Sequence, residues 1–218
     1  MAFIDDLTLI EDLLVLVAAA VFYTGFFVIL HWWKKDPERA RNHLREGAFV
    51  LGILGALLAV IAVEGEFVWP LPGAYNIYFF DPLFMLSFLL VAFGVAVWRG
   101  LPTHFVGMLS LVTGSGIIFY GVRAYQLGLT KDPFETLLLY LGFGAMGILA
   151  YPATLFVDWG VVGPQEKGSS PLVTNPVQLY PRLWLAILAI FMVIVVLAGV
   201  AAIAYGFSSV WSHLGSPP

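Results

Sequence analysis

Long apolar stretches alternate with short polar connections along the whole chain. Six of these stretches are bounded by charged or turn residues. A helix needs about 20 mainly apolar residues to cross about 30 Å of hydrocarbon. The pattern therefore predicts six transmembrane helices, at residues 10–30, 47–67, 80–98, 105–125, 136–156 and 183–207. We expect one integral-membrane domain over residues 1–218.

The apolar stretches favour helices over transmembrane strands. A membrane barrel would show segments of about 10 residues in which apolar and polar positions alternate. Residues 183–204 are instead apolar at nearly every position, which is typical of a membrane helix. The predicted fold class is all-α, a polytopic helical bundle with six transmembrane helices.

Two connections and the start of one span have a distinct composition. Residues 36–46 are densely charged and are predicted to form a connection, and residues 157–182 are rich in glycine and proline and predict a second, longer one. At the start of the third span, Asp81 is expected to cap the helix and Pro82 to occupy its first turn.

Composition restricts the class of protein further. The chain is 61% hydrophobic and 11% charged, whereas soluble proteins average about 25% charged residues. The absence of cysteine excludes disulfides, thiolate metal sites and cysteine nucleophiles. A net charge of −4 creates no basic field for nucleic acid. The expected partner is therefore the lipid bilayer, with no nucleic acid.

The basic residues predict how the chain is oriented. Excess lysine and arginine in short connections marks the cytoplasmic side. Only Arg123 and Lys131 fall on the opposite side of the predicted topology. The cytoplasmic side would carry Lys34, Lys35, Arg39, Arg41, Arg45, Arg99, Lys167 and Arg182. We predict a multi-pass protein of the plasma membrane with both termini extracytoplasmic.

The connection between the second and third spans has a distinctive sequence. Residues 69–82 read Trp-Pro-Leu-Pro-Gly-Ala-Tyr-Asn-Ile-Tyr-Phe-Phe-Asp-Pro. This run resembles the signature of a prokaryotic membrane-protein family called domain of unknown function 981. That family tends to have Gly-Glu-Pro where this chain has Phe80, Asp81 and Pro82. The resemblance implies a membrane fold and no particular activity.

The ionisable and polar groups nearest the membrane interior lie at one depth, on the extracytoplasmic side. Placing an ionisable group within a bilayer costs free energy, so such a group usually has a structural or functional role. We expect a buried polar cluster in which Arg123 bridges Asp81 and Glu64, since a guanidinium pairs well with carboxylates. The alternatives are side chains that reach to lipid headgroups, and a ligand or proton site. The cluster comprises Glu64, Glu66, Asp81, Arg123, Tyr75 and Asn76.

Two histidines raise the possibility of a cofactor. His31 ends the first span and His104 begins the fourth, so both lie at the cytoplasmic face and are candidates for haem ligation. Haem sites in membrane bundles usually place histidines deeper between the helices. No spaced set of ligands indicates a metal site. We expect no cofactor and no bound metal.

Small residues within the spans predict how the helices associate. Gly52 and Gly55 lie at helical spacing in the second span, as do Gly144 and Gly147 in the fifth. Small residues let membrane helices approach closely. A tightly packed bundle is expected, and a permeation path lined by small residues is the alternative.

No nucleophile–base pair or phosphate-binding glycine loop is present, so the sequence predicts no catalytic residues. We expect a structural or accessory membrane protein, or a subunit of a membrane complex, with other membrane subunits or further copies of the chain as candidate partners. One alternative is a small transporter or channel that uses the extracytoplasmic cluster. Such a protein would need a cavity reaching mid-membrane near residues 114–116. The other is a haem- or metal-bearing redox subunit.

Overall fold

The computed structural model describes residues 6–130, 132–163 and 175–214, which are almost entirely helical and contain no strand. Among them, six helices are long and apolar enough to cross a membrane, as the sequence predicts. The helices are α1 (Asp6–Trp33), α2 (Pro37–Val68), α3 (Ala74–Arg99), α4 (His104–Leu127), α5 (Pro133–Phe156), the short α6 (Pro176–Leu179) and α7 (Pro181–Leu214).

The six long helices form a ring. Each packs against the next along the chain, and α7 packs against α1 to close the ring. The packing is closest between α2 and α3 and between α4 and α5, whereas α3 and α4 are the most loosely packed neighbours. Because none of the described helices runs through the middle, the ring encloses a space at its centre.

Glycines determine the two closest helix pairs, as expected from their spacing. A Cβ on Gly114 of α4 would lie 2.5 Å from the Gly144 carbonyl oxygen of α5, and one on Gly147 would lie 2.8 Å from the Gly114 Cα. Between α2 and α3, a Cβ on Gly55 would lie 2.6 Å from the Leu90 side chain. These backbones approach closer than any side chain would allow.

Within the charged stretch at residues 36–46, all residues from Pro37 onward are helical, so its prediction as a connection is wrong. It forms the first turns of α2, which begins at Pro37. Asp36 caps the helix by accepting a 3.1 Å hydrogen bond from the Arg39 N–H. Proline suits a first helical position because the N–H that it lacks would have no partner there. The connection between α1 and α2 is therefore only three residues long, 34–36.

Pro82 lies inside α3 and not at its start. The helix begins at Ala74 and follows Gly73, so Asp81 does not cap it. A proline within a helix leaves the carbonyl four residues earlier without its N–H partner. Here the Tyr140 hydroxyl of α5 donates to that carbonyl, on Tyr78, at 2.7 Å. A side chain on another helix thus allows α3 to continue through the proline.

The expected connection at residues 157–182 is partly helical. A π-helical segment, Val157–Val162, continues directly from α5. Asn175 then caps α6 by accepting a 2.9 Å hydrogen bond from the Val177 N–H. The middle of the predicted connection, residues 164–174, lies outside the described residues.

The two ends of the ring differ in charge. We call one the basic end; it contains the connections that follow α1 and α3, and the π-helical segment. We call the other the acidic end; it contains the connections that follow α2 and α4. The described basic side chains at the basic end are Lys34, Lys35, Arg39, Arg41, Arg45, Arg99 and Arg182. The described acidic side chains at the acidic end include Glu11, Asp12, Glu64, Glu66, Asp81, Asp132 and Glu135.

Candidate functional site

Asn76 holds the connection between α2 and α3 at the acidic end. The residue is fully buried. Its Nδ2 donates to the Gly65 carbonyl at 3.0 Å, and its Oδ1 accepts from the Leu71 N–H at 3.3 Å. The Gly65 carbonyl also accepts from the N–H of Trp69, which ends α2 in a left-handed conformation. One buried amide therefore joins the end of α2 to the turn that follows it.

The Phe80 side chain packs against the backbone of α2. A Cβ on Gly65 would collide with the Phe80 ring, which is almost fully buried. The Phe80 ring therefore fits against α2 only because residue 65 is a glycine. This contact supports the same turn that Asn76 holds.

Two carboxyl groups and a phenol meet beside this turn. The Tyr120 hydroxyl of α4 donates to Asp81 Oδ2 at 2.7 Å. The Glu66 and Asp81 carboxyl groups lie close enough to each other to interact. Glu66 Oε1 is shielded from solvent and has no hydrogen-bond donor among the described residues. The site thus brings two acids of like charge together, and the Tyr120 hydroxyl offsets part of their repulsion.

The other members of the predicted polar cluster lie apart from these acids. The structure does not place Arg123 between Asp81 and Glu64; its guanidinium donates to the Gln126 side chain at 3.3 Å. Glu64, Arg123 and Tyr75 are all exposed. The physical reason is position on α4, since Tyr120, one turn earlier, occupies the place beside Asp81. Arg123 extends outward instead, as long basic side chains do at a membrane boundary.

Asp158 ties the π-helical segment to the start of α4 at the basic end. Its Oδ1 accepts from the Thr103 N–H at 2.9 Å and from the Thr103 hydroxyl at 2.8 Å. Its Oδ2 accepts from the His104 N–H at 2.9 Å and lies 2.7 Å from His104 Nδ1. Negative charge at a helix N-terminus is stabilising, and both carboxylate oxygens are used here. Asp158 is therefore a cap that α4 receives from a distant part of the chain.

The two histidines considered as haem ligands make separate contacts. His31 stacks on His43, with ring centroids 5.1 Å apart. His104 contacts Asp158 through Nδ1. None of these contacts brings His31 and His104 together. Within the described residues, no group of three or more His, Asp or Glu side chains could hold a metal ion.

The ring encloses an apolar cavity of about 190 Å³ at its centre. We call it the central cavity. All six long helices contribute to its wall, which includes Gly114 of the glycine-rich α4. Four lining residues are polar but none is ionisable: Thr24, Ser110, Thr113 and Thr154. A smaller cavity of about 70 Å³ lies towards the acidic end and shares three wall residues with it: Leu86, Ile117 and Phe143.

Sequence reasoning missed two side chains that organise the ends of the ring. The sequence predicts a connection around Asp158, although this residue is an isolated acid within an otherwise apolar stretch from Leu155 to Val162. Tyr120 lies within an apolar span and gave no signal of its own. Only the packing of α3 against α4 shows that its hydroxyl faces Asp81.

The fold and these end contacts define a multi-pass helical membrane protein. The chain belongs to the family described as Protein of unknown function (DUF981), whose sequence profile matches residues 1–216. The local resemblance at residues 69–82 therefore extends over nearly the whole chain. Comparison with curated proteins and with solved structures gives no match.

Proposed function

We propose that this chain is a structural or accessory membrane protein without a catalytic site, and that it acts as a subunit of a membrane complex. The observation that carries the proposal is the chemistry of the central cavity, whose wall contains no ionisable side chain. Pathways for ions and protons are usually lined by charged side chains or backbone carbonyls. A centre lined mainly by aliphatic, aromatic and small residues suits a helical bundle with a structural role in a membrane complex.

Purification of the tagged full chain in a mild detergent tests this proposal. We expect another membrane protein to be recovered with it at a fixed stoichiometry, identified by mass spectrometry. An unrelated tagged six-helix protein, purified in parallel, controls for detergent carry-over. Recovery as a stable monomer would contradict the accessory role, and recovery as a defined homo-oligomer would favour a self-assembling structural protein.

One observation favours a transporter or channel as the second candidate. Glu66 and Asp81 face each other beside Tyr120, and paired acids near a membrane boundary occur in ion and proton pathways. Ion flux into liposomes that contain the purified chain tests this function. Flux that is lost in Glu66→Gln and kept in Glu64→Gln, the exposed neighbour, would replace the structural proposal.

We further propose that the basic end faces the cytoplasm of a cell bounded by the plasma membrane, which leaves both termini outside. The support is the bias of lysine and arginine towards the basic end. The natural chain has no cysteine, so single cysteines report position cleanly. An impermeant thiol reagent should label Leu127→Cys in intact cells and Leu101→Cys only after permeabilisation. Both positions are exposed, and the reverse pattern would invert the topology.

The proposal includes no bound cofactor. Purified protein should show no Soret absorption band of a bound haem. A Soret band that disappears in His104→Ala would support the redox alternative instead.

A further inference from the structure

A cavity larger than the central one opens at the basic end and adjoins the central cavity. We call it the basic cavity. Its volume is about 680 Å³, and its wall is built from α2, the end of α3 and the turn that leads to α4, the π-helical segment, and the start of α6. Leu44 and Val157 line both cavities. The two spaces are therefore neighbours, one at the end of the ring and the other at its centre.

The wall of the basic cavity carries positive charge. Arg41 and Arg45 line it and lie four residues apart on α2, which places them on one face of the helix. Neither arginine forms an ion pair within the part of the chain that the structure describes. Asp158 is the acidic residue in the wall, and its oxygens already accept hydrogen bonds from Thr103 and His104. The two guanidinium groups therefore remain available to an anion.

The central cavity offers the opposite chemistry. It is lined almost entirely by apolar side chains, among them Met146 and Met192, whose flexible thioethers adapt to the shape of a guest. An apolar cavity of about 150 Å³ can stay dry and bind a small hydrocarbon such as benzene. At about 190 Å³, the central cavity has room for a portion of one hydrocarbon chain and not for two.

We propose that the two cavities together bind a single-chain anionic amphiphile, such as a fatty acid. The carboxylate would pair with Arg41 and Arg45, and the end of the hydrocarbon chain would lie in the central cavity. Arginine is well suited to this head group because its planar fork pairs with carboxylate oxygens. We place the entry of the hydrocarbon chain from the bilayer at the boundary between α3 and α4, the most loosely packed neighbours in the ring. This binding site does not depend on the partner subunit proposed above.

Photo-crosslinking of the purified full chain tests the site. The probe is palmitate with a diazirine near the end of its chain, and crosslinked peptides are mapped by mass spectrometry. Crosslinks should fall on residues that line the central cavity. Unlabelled oleate should compete with the probe, whereas oleyl alcohol, which has the same chain without the charge, should compete more weakly. Inorganic phosphate should not compete.

Two pairs of variants separate the head site from the chain site. Ser110→Leu fills the central cavity and should abolish cavity crosslinks, while Ser115→Leu, exposed on the same helix, should preserve them. Each of Arg41→Gln and Arg45→Gln should weaken competition by oleate about fivefold, since one basic residue near an anionic lipid contributes about 1 kcal/mol. Arg39→Gln, whose side chain pairs with Asp36, should leave oleate competition unchanged.

Each of these measurements either supports or overturns a part of the proposal. Size-exclusion profiles confirm that the variants fold, and Thr113→Leu is a second way to fill the central cavity if Ser110→Leu does not. Crosslinks that persist in a folded cavity-filled variant would overturn the chain site. Equal effects of the glutamine variants at positions 39, 41 and 45 would overturn the head site. Competition by inorganic phosphate as strong as that by oleate would overturn the claim that the ligand is an amphiphile.

Discussion

The Tyr140 hydroxyl of α5 donates a 2.7 Å hydrogen bond to the main-chain carbonyl of Tyr78 in α3. The two phenol rings also stack, with centroids 4.5 Å apart and planes 8° from parallel. The carbonyl needs this donor because Pro82, four residues later, has no N–H. The hydrocarbon core of a bilayer contains no water that could donate to this carbonyl, so another protein group must supply the hydrogen bond.

Loss of this donor should be costly only while the proline is present. We expect Tyr140→Phe to reduce the free energy of unfolding by about 1–3 kcal/mol, the range for an unsatisfied buried carbonyl. In a Pro82→Ala background, residue 82 has an N–H, and the cost of Tyr140→Phe should fall well below that. Denaturant titrations in micelles, followed by circular dichroism, measure both values. The same cost in both backgrounds would contradict this role for Tyr140.

Glycine packing between α4 and α5 should be sensitive to a single methyl group. A Cβ on Gly114 would lie 2.5 Å from the Gly144 carbonyl oxygen, whereas one on Gly116 would meet nothing within 4 Å. We expect Gly114→Ala to destabilise the fold by about 1–3 kcal/mol through overpacking. Gly116→Ala should be neutral or stabilising by up to about 1 kcal/mol, because alanine favours helices. Thermal unfolding of the two variants should therefore shift in different directions or by clearly different amounts.

The Asp158 cap should contribute more to stability than the exposed cap at Asp36. Asparagine has one acceptor oxygen, so Asp158→Asn loses the acceptor for part of the Thr103 and His104 contacts. We expect this change to cost about 1–2 kcal/mol. Asp36→Asn should cost less than about 0.5 kcal/mol, because asparagine caps helices as well as aspartate does. If chemical unfolding shows equal losses, Asp158 is not the cap described above.

Loss of its polar group should cost more stability at Tyr120 than at Arg123. Tyr120→Phe removes the 2.7 Å hydrogen bond to Asp81 and should cost about 0.5–1.5 kcal/mol. Arg123→Gln removes an exposed charge without an acidic partner among the described residues and should change stability by less than about 0.5 kcal/mol. Unfolding midpoints of the two variants measure the difference. A larger loss in Arg123→Gln would restore the arginine-centred cluster that the sequence predicts.

The fold is largely predictable from this sequence, because the bilayer allows few solutions. A run of apolar residues that long must be a helix in lipid, so the number of spans follows from hydropathy. The helix starts are less predictable. Charge at residues 36–46 indicated a connection, yet Pro37 and the Asp36 cap start α2 there. Pro82 indicated a helix start, yet the Tyr140 hydroxyl allows α3 to continue through it.

The candidate sites are predictable only in part. Depth along the spans predicts that Glu66 and Asp81 lie at one level, and their carboxyl groups interact with each other. Which side chain joins them depends on the rotation of α4 about its own axis, which the sequence does not reveal. That rotation selects Tyr120 and turns Arg123 outward. The cavities depend on how the helices are arranged around the ring. That arrangement is part of the tertiary structure, and the positions of the spans in the sequence do not predict it.

Closure of the ring by α7 against α1 has a consequence for biosynthesis. Because α7 follows the other five long helices in the sequence, it leaves the ribosome after them, and the growing chain first exists as an open arc. Lipid tails solvate apolar helix surfaces about as well as neighbouring helices do, which lets such an arc persist without aggregating. Until α7 packs against α1, we expect lipid tails to occupy the interior of the arc.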